Sequence, residues 1–237
     1  MPSFWTLVNK VIEEADVLLL VLDARLVQES RNIELERKVQ DAGKPFIYVI
    51  SKSDLAEAGD VLQPSIAVSS KDYRGIGALK RRILTLAKKQ AVIVGVLGYP
   101  NVGKSSLINS LKGKGSASVS PLSGHTRGLQ KVRVGKRIML IDTPGVIPYN
   151  EKDFMKQSVI GTIDYLHVRE PDVVVSGLMQ RFPEKFEKFY GVKVTDDPDG
   201  VIEELALKNH VLRKGGKPDP IRMARRMLVD WQQGRIT

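Results

Sequence analysis

The chain has 237 residues, 42% of them apolar, enough for one α/β domain plus a smaller unit. It contains no cysteine, which excludes disulfides, thiolate zinc sites and cysteine nucleophiles. No run approaches ~20 apolar residues and no signal-peptide pattern opens the chain, so a soluble, intracellular protein is expected, cytoplasmic rather than membrane-bound.

In chain order, residues 4–14 have the pattern of an amphipathic helix, and 16–22 are a buried strand ending in Asp23-Ala24-Arg25. A charged helix follows at 31–42, closed by Gly43, then a strand at 45–50 that runs into Ser51-Lys52-Ser53-Asp54. A short strand at 65–68 leads to Ser69-Ser70-Lys71, and residues 76–89 form a basic helix. The apolar, largely β-branched run at 91–97 is another buried strand. Residues 111–127, rich in Gly, Ser and Lys, are expected to be a mobile loop. Strands at 129–134 and 137–141 form a hairpin around Gly135-Lys136 and deliver Asp142-Thr143-Pro144-Gly145. Strands alternating with helices predict an α/β fold, a mostly parallel sheet with helices on both faces. From Val146 onward the alternation stops. Domains are expected at 1–148 and 149–237, the second small and α-helical, with helices at 153–166, 183–189, 201–207 and 220–231.

The centre of the chemistry is Gly98-Tyr99-Pro100-Asn101-Val102-Gly103-Lys104-Ser105, which fits the P-loop pattern G-x-x-x-x-G-K-[ST] between a strand and a helix. Glycines at both ends let the backbone curl so that successive N–H groups face phosphate oxygens. Pro100, Asn101, Val102, Gly103, Lys104, Ser105 and Ser106 would line the phosphates, with Lys104 on the outer ones and Ser105 on Mg²⁺. Three further stretches lie past strand ends, where open α/β sheets bind ligands. Asp142 would sit near Mg²⁺ and the Gly145 N–H near the γ-phosphate. Asp54 would accept from the ring N–H and exocyclic amine of guanine, with the Lys52 stem over the base; adenine presents the wrong pattern. Ser69, Ser70 and Lys71 would offer a backbone N–H to the guanine carbonyl. Thr126 would complete the coordination of Mg²⁺. Each stretch alone reads equally as a surface turn; together they select a guanine nucleotide.

With these motifs the sequence resembles a GTPase of the translation-factor class whose motifs are out of the usual order. Ser51-Lys52-Ser53-Asp54 and Ser69-Ser70-Lys71 precede the P-loop, while Thr126 and Asp142-Thr143-Pro144-Gly145 follow it. That order marks the circularly permuted GTPases. Asp23-Ala24-Arg25 followed by Ser30-Arg31-Asn32 is similar to the D-A-R-x-P-x-S-R-N stretch of the YlqF/RbgA-like ribosome-assembly family. The resemblance implies a circularly permuted Ras-like domain, GTP or GDP with Mg²⁺ as ligands, and rRNA or the large ribosomal subunit or its precursor as partner. It implies no membrane and no DNA, and the chain is expected to be a monomer. Related subfamilies with cysteine-ligated zinc modules do not fit a chain without cysteine. Three departures stand out. Ser51 replaces the family Asn, which should weaken loop anchoring; Leu26-Val27 replaces the proline after Asp-Ala-Arg; and no His precedes His125, so the N-terminal His of bacterial relatives has no counterpart.

Ras-like enzymes orient the attacking water with a Gln beside D-x-x-G; here that position is Val146, so intrinsic turnover should be slow and await a partner or an ion. Asn101 resembles the P-loop asparagine that helps some GTPases hold K⁺. His125 is a candidate water-positioning group or an exposed loop residue.

The formal net charge is +10, and its distribution points to a second ligand. Residues 71–137 hold fifteen Lys or Arg against one acid, Asp72, and residues 205–226 hold seven against Asp219. A triphosphate needs far fewer, so RNA is the natural partner; a basic face kept for solubility is the bland alternative. In the last helix Asp219 and Pro220 give an N-cap and a first-turn proline. Ile221, Ala224, Leu228 and Trp231 are expected on an apolar face, with Trp231 in the core. Arg222, Arg225 and Arg226 share another face, joining Lys208, Arg213, Lys214 and Lys217 as a phosphate-binding surface. The expected function is a GTP-hydrolysing switch that binds rRNA and assists large-subunit assembly. The rivals are a GTPase acting on another RNA or ribonucleoprotein and a nucleotide-sensing RNA scaffold that hardly hydrolyses.

Overall fold

The computed structural model describes residues 4–56, 62–113, 129–143 and 154–236. The chain divides into two compact units, Met1–Lys152 and Asp153–Thr237.

In the first unit, β1 (Val17–Asp23), β2 (Phe46–Ser51), β3 (Ser65–Ala67), β4 (Val92–Leu97), β5 (Gln130–Val134) and β6 (Ile138–Asp142) form one sheet in the order β3-β2-β1-β4-β6-β5. All neighbours are parallel except β5 and β6, which form the antiparallel edge hairpin. β1 reads Val-Leu-Leu-Leu-Val-Leu-Asp and is buried at every position. A continuous apolar run is what a strand covered on both faces needs. Helices α1 (Phe4–Glu14) and α2 (Ile33–Asp41) place Val8, Val11, Leu35 and Val39 against Leu18, Leu20 and Leu22. Helices α3 (Ile76–Ala87) and α4 (Lys104–Lys112) pack on the opposite face through Leu79, Ile83, Leu107 and Leu111. α4 runs through Lys112, so the first residues of the expected 111–127 loop are helical; residues 114–128 lie outside the described ones. β1, the paired partner of both β2 and β4, sits at the middle of the sheet although it comes first in the chain.

In the second unit the described helices are α5 (Phe154–Val159), α6 (Pro171–Arg181), α7 (Pro183–Tyr190), α8 (Pro198–Lys208) and α9 (Pro220–Gln232). α6, α8 and α9 pack together around Val174, Leu178, Ile202, Leu205, Met227 and Trp231. Two expectations are corrected. The helix expected over 153–166 stops at Val159, because Gly161 takes φ +73° and Asp164 starts a separate 3₁₀ turn, Tyr165–His167. Ile221 is 43% exposed; the buried face of α9 is instead Met223, Ala224, Met227, Leu228 and Trp231. Asp219 caps α9 by accepting from the Arg222 N–H, with Pro220 in the first turn. Trp231 is fully buried, stacked between Phe182 and Phe186, and its Nε1 donates to the Val159 carbonyl at 3.0 Å.

Candidate nucleotide site

The C-terminal ends of β2, β1, β4 and β6 lie side by side, and the loops after them carry the residues singled out in the sequence. β4 passes into the loop Gly98–Gly103 (98–103) and then into α4. Gly98 has φ +147°, Asn101 +61° and Gly103 +102°. At Gly98 the geometry leaves no room for a side chain, since a Cβ would lie 2.5 Å from the Val21 carbonyl of β1. The P-loop therefore turns directly against the end of the central strand. Tyr99 and Val102 are buried beneath it, whereas Asn101, Ser105 and Ser106 are exposed and Pro100 is half-buried.

Lys104 opens α4 and is itself buried. Its Nζ donates to the carbonyls of Gly98 (3.0 Å) and Tyr99 (2.6 Å), folding back over the loop. Burial pushes this ammonium down to about 8, and the Asp142 carboxylate opposes the shift. Asp142 ends β6 and is also buried. Burial raises its carboxyl above the ordinary range, against the pull of the Lys104 charge and a bond from the Thr143 N–H. Thr143 Oγ1 donates to the Val96 carbonyl at 2.7 Å, which ties the chain after β6 to β4.

The other side of the candidate site is built from β1, β2 and β3. Ser51 closes β2, and its one hydroxyl proton faces two carbonyls, Leu22 at 2.9 Å and Val102 in the P-loop. The serine reaches the P-loop at close range: a Cβ at Gly103 would lie only 3.2 Å from Ser51 Oγ. Lys52 takes φ +55°, and its Nζ reaches Asp23 Oδ2 at 2.8 Å. Asp54 is half-buried in the turn that follows, where the Leu55 N–H donates to the Lys52 carbonyl. The Ser53 N–H donates to the Val68 carbonyl, joining this turn to the Ser69-Ser70-Lys71 loop. Ser69 is fully buried, its Oγ accepting from the Asp72 N–H, and Ser110 Oγ of α4 lies 3.3 Å from the Ser70 carbonyl. Lys71 is exposed.

The structure thus gathers Ser51, Lys52, Asp54, Ser69, Ser70, Lys71, the P-loop residues 98–106 and Asp142 at one edge of the sheet. Thr126 and Gly145, with His125 and Val146, lie outside the described residues. Ser110 and Thr143 were not singled out from the sequence, nor was the pairing of Asp23 with Lys52. A serine in the third turn of a helix and a threonine after an aspartate carry no signal of their own, whereas Asp23-Ala24-Arg25 was visible as a motif without a visible contact.

A divalent ion can be tested against this geometry. Asp142 is a buried carboxylate whose charge is offset by Lys104 and by the Thr143 N–H, and Ser105 stands at the start of α4. One carboxylate and one hydroxyl are hard oxygen donors of the kind Mg²⁺ takes, alongside waters and phosphates. Among the described residues no group of three His, Cys, Asp or Glu gathers as an all-protein metal cage would require.

Comparison with known proteins agrees with this geometry. Residues 93–195 match the family described as 50S ribosome-binding GTPase. A GTP-binding protein of Methanocaldococcus jannaschii is 35% identical over 246 residues, covering 97% of this chain and 65% of that protein. Nucleolar GTP-binding protein 2 of Neurospora crassa is 36% identical, covering 98% of this chain and 40% of that protein; the Saccharomyces cerevisiae protein of that name is 33% identical, with 98% and 52% covered. The chain therefore spans less than two thirds of the length of these relatives. In fold it is similar to YlqF of T. maritima in its GNP-bound form, with a TM-score of 0.62 at 20% identity, covering 96% of this chain and 92% of that one. The GDP-bound form of YlqF gives 0.63. With the loops at 51–54 and 69–71 ahead of a P-loop on a central parallel sheet, the chain carries a P-loop GTPase domain and has the circularly permuted fold of YlqF.

Proposed function

We propose that this protein binds and hydrolyses GTP, and uses the nucleotide state to bind rRNA or a pre-ribosomal particle and assist assembly of the large ribosomal subunit. The observation that carries the reading is the P-loop braced against both neighbouring strands, by Gly98 on Val21 and by Ser51 on Val102. Such a loop is held in shape before a ligand arrives, which lowers the ordering cost of binding. Lys104 exchanges its two carbonyl partners for phosphate oxygens, and the N–H groups of Asn101, Val102, Gly103, Ser105 and Ser106 hold the remaining oxygens. Asp54 reads the guanine edge, Lys52 covers its face, and the Ser69-Ser70-Lys71 backbone meets its carbonyl. Ser105 and Asp142, with Thr126, hold Mg²⁺, which when bound neutralises charge on the phosphates. Gly145 contacts the γ-phosphate and so reports the nucleotide state to the chain that follows.

Val146 can neither donate nor accept a hydrogen bond, so hydrolysis by the isolated protein is slow. Asn101 at the P-loop tip is the proposed ligand for a K⁺ ion that raises the rate. Multiple-turnover hydrolysis is expected to run faster in KCl than in NaCl at equal ionic strength; equal rates would remove the ion from the mechanism.

The helical unit and the basic stretch of the first unit supply the RNA contacts. Arg222 and Arg226 are exposed on α9, while Arg225 is committed inward, donating to the carbonyls of Tyr165 and Leu166. Among the described residues no helix is long and apolar enough to cross a membrane, and the reading places the protein in the compartment where ribosomes are assembled, the cytoplasm in a bacterial or archaeal cell. The deciding experiment is co-sedimentation with isolated large and small ribosomal subunits, at two salt concentrations, with GDP and with a non-hydrolysable GTP analogue. Salt-resistant binding to the large subunit in the GTP form is expected. Binding to both subunits that ignores the nucleotide and disappears in salt would overturn the assembly reading. Val146 favours one second reading, a nucleotide-sensing scaffold; it predicts the same binding without stimulated turnover.

A further inference from the structure

At the end of β1, Asp23 makes four short bonds with three groups. Oδ1 accepts from the Arg25 backbone N–H and from Arg25 Nε, both at 3.0 Å; Oδ2 accepts from Arg25 Nη2 and Lys52 Nζ, both at 2.8 Å. The backbone is fixed as well, because the Asp23 N–H donates to Ser30 Oγ, which in turn lies 2.7 Å from the Leu26 carbonyl. Asp23 and Arg25 are nearly fully buried, with side chains 2% exposed, whereas the Lys52 side chain keeps 24% of its surface exposed. Asp23 also stands opposite Ser51 in the β1–β2 register, one residue from Lys52. On its other side Lys52 borders the P-loop, since a Cβ at Gly103 would lie 4.0 Å from Lys52 Cε.

A free lysine stem samples many rotamers, and immobilising it opposes binding. Here the end of the stem is held at two adjacent atoms, Nζ by an oriented carboxylate and Cε beside the P-loop. Resting on the guanine-nucleotide reading above, we infer that Asp23 is a positioning residue for nucleotide recognition: with Arg25 fixing its orientation, it holds the Lys52 stem in place as the platform on which the base stacks. The Asp-Ala-Arg stretch thereby gains a role at the base although Asp23 itself touches no nucleotide. Burial works against the charge of Lys52 and lowers its ammonium below the ordinary range, with Asp23 opposing the shift.

The test is a double-mutant cycle on affinity for N-methylanthraniloyl-GDP, using wild type, Asp23→Asn, Lys52→Met and the double variant, each checked for folding by its thermal midpoint. Each single change is expected to weaken binding about fivefold, and the double variant no further than Lys52→Met, because both changes remove one platform. Preference for GDP over IDP should survive in Asp23→Asn, since Lys52 covers the ring face while Asp54 reads the exocyclic amine that hypoxanthine lacks. A merely structural aspartate would give additive losses and, by displacing the whole turn, a reduced GDP-over-IDP preference; either result overturns the inference. Should Asp23→Asn not fold, the same cycle is run in an Arg25→Met background, with one buried cation fewer: Arg25→Met, Asp23→Asn/Arg25→Met, Arg25→Met/Lys52→Met and the triple variant. Wild-type protein that does not bind the labelled GDP would overturn the guanine reading as well, whereas binding with additive losses overturns this inference alone.

Discussion

Asp54 sits in a turn whose backbone is held at both ends, by Leu55 on Lys52 and by Ser53 on Val68, and the proposed function gives its carboxylate the base edge to read. Changing Asp54 to Asn reverses one hydrogen-bonding partner, and the protein is expected to move its preference toward xanthine nucleotides; competition of GDP and XDP for the labelled site measures it, and unchanged guanine preference refutes the assignment. Asp23 governs pH behaviour at the same scale. Burial disfavours its charge, but Arg25 and Lys52 outweigh burial and hold the carboxyl well below the ordinary aspartate range. A depressed folded value contributes stability that is complete above about pH 4 and is lost as acidity carries the protein down through that lower value. Asp23→Asn is therefore expected to be less stable than wild type at pH 7, by about 3 kcal/mol for a broken buried pair, with the difference shrinking between pH 4 and 2. Urea unfolding at several pH values checks both parts.

Among the elements, helix α9 shows what packing adds to pattern. Its Trp231 fills the space between Phe182 and Phe186, so Trp231→Ala is expected to cost about 3–5 kcal/mol in the helical unit, read as a lowered unfolding midpoint. The helix was legible because Asp219 and Pro220 mark its start and its burial pattern has one period. α6 was not: its buried stripe of Pro171, Val174, Val175, Leu178 and Met179 is blurred in the sequence by the exposed Val173, which makes a β-branched run with its neighbours, and by Gly177. The sheet was legible throughout because β1 and β4 are apolar on both faces and each is followed by turn residues with a job. In the candidate site, spacing picked out residues that the fold brings to the C-terminal ends of the strands. It could not identify Ser110, Thr143 or the partner of Lys52, because those contacts join segments far apart in sequence and involve residues common everywhere.

For the whole molecule, the excess of positive charge determines how association responds to salt. If Arg222 and Arg226 each neutralise one phosphate, changing both to Gln lowers the slope of log affinity against log salt by about 1.4–1.8, measured on isolated large subunits, while affinity for GDP stays as it was. The order of the strands has a further consequence that concerns synthesis rather than binding. The sheet is two contiguous blocks of chain, β3-β2-β1 made from residues 17–67 and β4-β6-β5 from residues 92–142, joined along the single seam between β1 and β4. A ribosome making this protein releases the β3-β2-β1 block before the P-loop block. Until β4 follows, β1 waits with Leu18, Leu19 and Leu20 along an unpaired edge, in the very strand that later lies at the centre of the sheet. The nascent chain is most prone to pair with a stranger in that interval, and it ends when the P-loop strand emerges.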